Sequence, residues 1–198
     1  PSKFGQQTRD TFQLSDVFVT QGDRLQIYRF LDLVFGDPFQ TPTPEEQAMF
    51  MAYASSLRSA DLSRQVGAVI ISEHGDLIAT GANDVAAPGG GLYWPGDRDS
   101  RDFKLGKDIN EQRRNEFVLD TMKRLFPRDR RNDKELLAFG KERLEGSPIF
   151  DITEFGRAVH AEMEALMSCA RTGVSPRGGT LVCTTFPCHN CAKHIVAA

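Results

Sequence analysis

Apolar positions follow three rhythms along this chain, and each predicts a different element. Met49, Met51, Ala52 and Leu57 recur at helical spacing behind Thr43, Pro44, Glu45 and Glu46. A capping hydroxyl, a proline at the first helical position and acids beside the positive helix end make a start signal, so a helix is predicted to about Ser59. Val66-Gly67-Ala68-Val69-Ile70-Ile71 and Leu77-Ile78-Ala79-Thr80-Gly81 are continuous runs around Glu73-His74-Gly75-Asp76. Such runs with a Gly-containing turn predict a β-hairpin, and helix then hairpin opens an α/β sandwich. Farther on, the pattern predicts a helix over Val159 to Arg171, a turn at Ser175 to Gly179, a strand from Leu181 to Phe186 and a helix opening at Pro187.

Two stretches break these rhythms. Residues 1–43 read as a tail and linker from an upstream region: Phe12, Leu14, Val17, Phe18 and Val19 sit among polar residues, and Pro38, Pro42 and Pro44 favour extended backbone. Residues 86–157 form an insertion. It begins with Pro88-Gly89-Gly90-Gly91-Leu92-Tyr93-Trp94-Pro95 and runs into densely charged sequence of nearly balanced sign. Phe117, Val118, Met122, Leu125 and Phe126 give it one apolar helical face, expected to pack on the main body. The remainder, residues 44–198, is read as one domain. The first residue is not Met, and the last helix has no stop signal behind it, so both ends are expected to be cut.

Composition narrows the function classes. With 198 residues, 40% hydrophobic and 26% charged, the chain has material for one core. No apolar run approaches the roughly 20 residues that cross a bilayer, and no secretion signal opens the chain, so a cytoplasmic protein without membrane contact is expected. A net charge of −3 supplies no broad basic field for nucleic acid. A small, locally held substrate is favoured.

The candidate chemistry lies in His160-Ala161-Glu162 and Pro187-Cys188-His189-Asn190-Cys191, each at the start of a predicted helix. Cys188 and Cys191, three residues apart, share one face of a first turn, where the helix dipole favours thiolate. His160 adds a third ligand, and three protein ligands leave the fourth tetrahedral corner of a zinc ion open for water. Zinc lowers the pKa of that water from 15.7 to about 7, and Glu162 is placed to take its proton. Either half alone is a weak signal: C-x-x-C also serves redox pairs and structural knuckles, and H-x-E is usually a solvated helix start. Together they match the signature of zinc nucleobase deaminases.

With these motifs, and with Ser63 to Ile70, Ala79 to Asp84 and Cys191-Ala192-Lys193, the chain resembles the cytidine and deoxycytidylate deaminase superfamily over about residues 44–85 and 157–198. The insertion and upstream tail look most like bacterial anti-phage dCTP deaminases. The resemblance implies an α/β fold, a three-layer α/β/α sandwich with a mixed five-stranded sheet, here with a long helical insertion between the second strand and the first zinc-ligand helix. It implies zinc-dependent loss of ammonia from a free cytosine deoxynucleotide, dCTP or dCMP, in a homo-oligomer. It also assigns substrate contacts: Asn83 to the sugar, the Ala161 N–H and the Thr185 carbonyl to the base edge, and Phe186 to the ring. Those relatives carry a P-loop domain ahead of the deaminase, and no G-x-x-x-x-G-K-[ST] occurs here.

Other residues carry an ordinary reading beside a functional one. Asn83 can cap a strand end. Arg64 is the cation favoured for phosphate, ahead of Arg98, Arg101, Lys104 and Lys107, which read as surface charges. Glu164, where the family usually has Asn, can orient His160 but reads better as a solvated carboxylate. Tyr93 and Trp94 are expected to pin the insertion rather than cover a base. Cys169 and Cys183 read as small core side chains. The competing functions are a polynucleotide cytosine or adenosine deaminase and a non-catalytic zinc-stabilised interaction module. The first would want a basic, aromatic-lined channel, and the second would have no use for Glu162.

Overall fold

The structure, a computed structural model, describes residues 15, 17–96, 98–152 and 155–198. Two compact units divide between Thr43 and Pro44. Phe12 and Leu14 lie outside the described residues. In the first unit, residues read from sequence as a tail form helix α1 (Arg24–Val34). Asp23 starts it, its carboxylate accepting from the N–H groups of Leu25 and Gln26 at 3.0 and 3.2 Å. No residue of α1 is buried.

The second unit runs through α2 (Pro44–Ser56), β1 (Gly67–Ile71), β2 (Leu77–Ala82), β3 (Asp84–Val85), α3 (Asp102–Leu105), α4 (Ile109–Leu125), α5 (Asp133–Arg143), β4 (Ala158–Val159), α6 (Ala161–Thr172), β5 (Thr180–Cys183) and α7 (His189–Ala197). The hairpin is present, with Gly67 opposite Ala82 and Ile70 opposite Ala79. β1 is central, antiparallel to β2 on one side and β5 on the other. Alternate residues of a strand face opposite ways, so a buried central strand must be apolar on both faces. Ala68 and Ile70 join Ala161, Ala165, Leu166 and Cys169 of α6, whereas Val69 and Ile71 join Ala48 and Ala52 of α2. Helices thus cover both faces, a three-layer α/β/α sandwich. Every described ladder is antiparallel, so the five-stranded mixed sheet implied by resemblance is represented here by three strands. Ile195 carries α7 onto the α6 side.

The predicted strand from Leu181 to Phe186 ends at Cys183, and the helix expected to open at Pro187 begins at His189. Two bonds continue the edge past β5: Thr184 N–H donates to the Gly67 carbonyl at 3.0 Å, and Gly67 N–H to Thr184 Oγ1 at 3.1 Å.

The insertion departs from expectation. Val118 and Met122 of α4 pack against Leu136 of α5, with Phe139, Ile149 and Phe150 around them, so the insertion has its own small core. Leu125 is exposed. Balanced charge on both helices leaves each one apolar stripe, and two such stripes satisfy each other. No described helix is long and apolar enough to cross a membrane.

Candidate metal centre and active site

Two helix starts meet beneath the sheet end. His160 is the N-cap residue of α6, extended at φ −68° and ψ 151°, and its side chain makes no capping bond. The ring turns instead to the start of α7, where Nδ1 lies 3.4 Å from both Cys188 Sγ and Cys191 Sγ. All three ligand atoms lie within 4.8 Å of one another, the one such cluster of metal-ligating residues among the described residues. Zn–S bonds near 2.3 Å and a Zn–N bond near 2.0 Å at tetrahedral angles put sulfur and nitrogen about 3.5 Å apart, close to what is found.

The donor chemistry agrees. Cys191 is buried, and burial first, then the Glu162 carboxylate and the neighbouring Cys188, push its thiol far above the ordinary range. Two clustered sulfurs beside a carboxylate favour thiolates only with a cation between them. At the helix start the Cys191 N–H donates to Cys188 Sγ, 3.5 Å away. Cys183, at the end of β5, is pushed up to about 11, chiefly by burial, with the Glu162 carboxylate adding to the rise.

Glu162 is 3% exposed. It sits in the first turn of α6 and borders a cavity of about 160 Å³. That cavity brings together every residue expected to contact substrate: Arg64, Asn83, Ala161, Thr185 and Phe186, with His160 and Cys188 beside them. Ala161 is fully buried, and its N–H belongs to the first turn of α6, where main-chain donors lack helical partners. Phe186, at 94% exposure, stands at the rim. Asn83 has structural duties: Oδ1 accepts from Val66 N–H at 2.6 Å, and Nδ2 donates to the Arg64 carbonyl at 2.7 Å. One lone pair and one amide hydrogen remain for a ligand.

Two sequence readings change. Glu164 is buried, not solvated, and its carboxylate holds Arg171 at the far end of the same helix. The spacing of seven, two turns along one face, was the available signal. Arg101 is buried against Asp84 and Asp99 and is not a surface charge. Ser63 and Val66 also border the cavity, a placement that depends on how the loop before β1 folds back. Trp94 meets the Arg58 guanidinium at 3.7 Å, which ties the insertion to the body, whereas the Tyr93 hydroxyl lies 2.8 Å from Ser100 Oγ, a contact within the insertion itself.

Residues 42–198 match the family described as the cytidine and deoxycytidylate deaminase zinc-binding region. This chain belongs to that family. Zinc is therefore the metal its site is built for. "ComE operon protein 2" of Bacillus subtilis (strain 168) is 40% identical over 42 residues, which make up 21% of this chain and 22% of that protein. The matched stretch thus spans about a fifth of that relative's length. A dCMP deaminase from the cyanophage S-TIM5, solved in apo form, aligns with a TM-score of 0.43 at 19% identity, covering 80% of this chain and 78% of that one.

Proposed function

We propose that this chain hydrolytically deaminates a free cytosine deoxynucleotide, dCTP or dCMP, giving the uracil nucleotide and ammonia. The reading is carried by His160, Cys188 and buried Glu162 bordering one small cavity, with Cys191 clustered on His160 and Cys188. Zinc, when held by His160, Cys188 and Cys191, supplies a Lewis acid that makes water nucleophilic near neutral pH. Glu162 takes one proton from the attacking water and delivers it to N3 of the ring as the C4–O bond forms. It then takes the proton of the new C4 hydroxyl and passes it to the amine as the C4–N bond breaks, leaving the C4 carbonyl and ammonia. The Ala161 N–H and the Thr185 carbonyl hold the base edge, Phe186 covers the ring from the rim, and the spare donor and acceptor of Asn83 reach the sugar. Among the described residues on the cavity, Arg64 is the one Arg or Lys, and it takes the phosphate side. In a cell this activity would draw down the cytosine deoxynucleotide pool, a role suited to defence against phage.

A substrate panel tests this. Zinc-loaded protein should release ammonia from dCTP or dCMP and leave cytidine and single-stranded DNA untouched. Glu162→Gln should retain zinc and lose activity by at least 100-fold, the scale of a lost general acid–base. Turnover of DNA without turnover of nucleotides would overturn the small-substrate reading, and zinc loss in Glu162→Gln would make Glu162 a ligand.

A further inference from the structure

The long insertion leaves the body at β3 and returns at β4, and these two strands pair with Asp84 opposite Val159 and Val85 opposite Ala158. Asn83 immediately precedes β3, and His160 immediately follows β4. Whatever fixes Asp84 therefore fixes the chain on both sides of the candidate site. Asp84 is 2% exposed. One of its carboxylate oxygens accepts from its neighbour Val85 N–H at 2.8 Å, the other from Ala60 N–H at 3.2 Å and Arg101 Nη1 at 3.1 Å.

Arg101 comes from inside the insertion. Its other donors are taken by Asp99: Nε lies 3.0 Å from each carboxylate oxygen, and Nη2 donates at 2.7 Å. The same turn catches the returning chain, because Arg157 donates to Asp102 Oδ1 and to the Ser100 carbonyl, each at 2.8 Å. Residues 99–102 thus fasten both ends of the insertion just ahead of His160. A bidentate guanidinium holds geometry as well as charge, and outer groups that orient a ligand's backbone tune the metal it binds.

We propose that Arg101, acting through Asp84, is a positioning residue for His160, so that the insertion sets the imidazole against the two cysteine sulfurs. This rests on the reading of His160, Cys188 and Cys191 as metal ligands and is independent of the substrate. Losing Arg101 alone strands a buried carboxylate, whereas losing both charges removes that demand and leaves only the missing clamp.

Cobalt(II) titration of the metal-stripped full chain tests the proposal, since thiolate charge-transfer bands report the cysteines and visible d–d bands report tetrahedral geometry. The wild type should show both. Arg101→Met and the double variant Asp84→Asn/Arg101→Met should keep the charge-transfer bands, shift the d–d bands and bind cobalt about 10–100-fold more weakly. Arg101→Lys should fall between, because an ammonium neutralises Asp84 but cannot fork onto Asp99. If Arg101→Met fails to fold, the double variant decides. Wild-type affinity and spectrum in a folded double variant would overturn the proposal and reduce the pair to a stability role. No tetrahedral spectrum in the wild type itself would overturn the metal-site reading and the proposal together.

Discussion

Burial sorts the cysteines by reactivity. Cys183 is pushed up to about 11 and Cys169 is raised, in both cases chiefly by loss of solvent, whereas Cys188 is exposed at its helix start. A raised thiol pKa keeps the unreactive protonated form up to higher pH. Iodoacetamide at pH 8, followed by peptide mass spectrometry, should therefore label Cys188 first in zinc-stripped protein and leave Cys169 and Cys183 intact. Zinc should protect Cys188, and labelling of Cys183 should rise only as pH nears its raised value. Equal labelling of Cys183 and Cys188 at pH 8 would contradict this account. The residues legible in the sequence were those whose chemistry is local: a Cys three residues from a Cys, and a Glu two residues from a His. Asp84 and Arg101, 17 residues apart, find each other only through the folded insertion, and nothing in the spacing marked that pair.

At the level of elements, the site depends on how closely α6 lies on the sheet. A Cβ placed at Gly81 would overlap the Ala161 carbonyl and crowd the Ala165 N–H, because the first turn of α6 rests directly on β2 at that glycine. Both obstacles are backbone, so Gly81→Ala must push helix and strand apart, and with them His160 and Glu162. Thermal unfolding should show a loss of at least about 1–3 kcal/mol, the usual scale of overpacking. Metal affinity should fall in the same variant, whereas a purely distant defect would leave cobalt binding unchanged. The hairpin and α6 were legible because their apolar rhythm is also their burial pattern, with β1 buried on both faces, whereas α2 was legible from its start signal: it buries Ala48, Ala52 and Ser56 while Met49 and Leu57 stay exposed. The insertion's own core and α1 were not. An apolar stripe reports that a helix needs a partner, not which one, and Val118 met Leu136 rather than the sheet. In α1 a single capping aspartate organises a stretch whose composition reads as tail.

For the second unit as a whole, a metal on His160, Cys188 and Cys191 would act as a staple between the starts of α6 and α7. Cys191 is the one buried residue of α7, while Val196 is exposed, so few contacts besides the sulfurs and Ile195 hold that helix to the body. A ligand that binds only the folded state stabilises it by RT ln(1 + [L]/Kd), about 4 kcal/mol when free zinc stands 1,000-fold above Kd. At this chain length that corresponds to a Tm shift of about 10 °C. Chelation should therefore lower Tm by that order. Hydrogen exchange should quicken first in His189–Ala197, and zinc but not magnesium should reverse both effects, since soft thiolates discriminate against a hard cation. The pH dependence has a definite sign. Protons compete with zinc for two thiolates and an imidazole, so the zinc-induced gain in Tm must shrink as pH falls and be restored as it rises. Calorimetry with and without zinc across that range checks it. A gain independent of pH would mean that the stabilising ion sits on groups other than His160, Cys188 and Cys191.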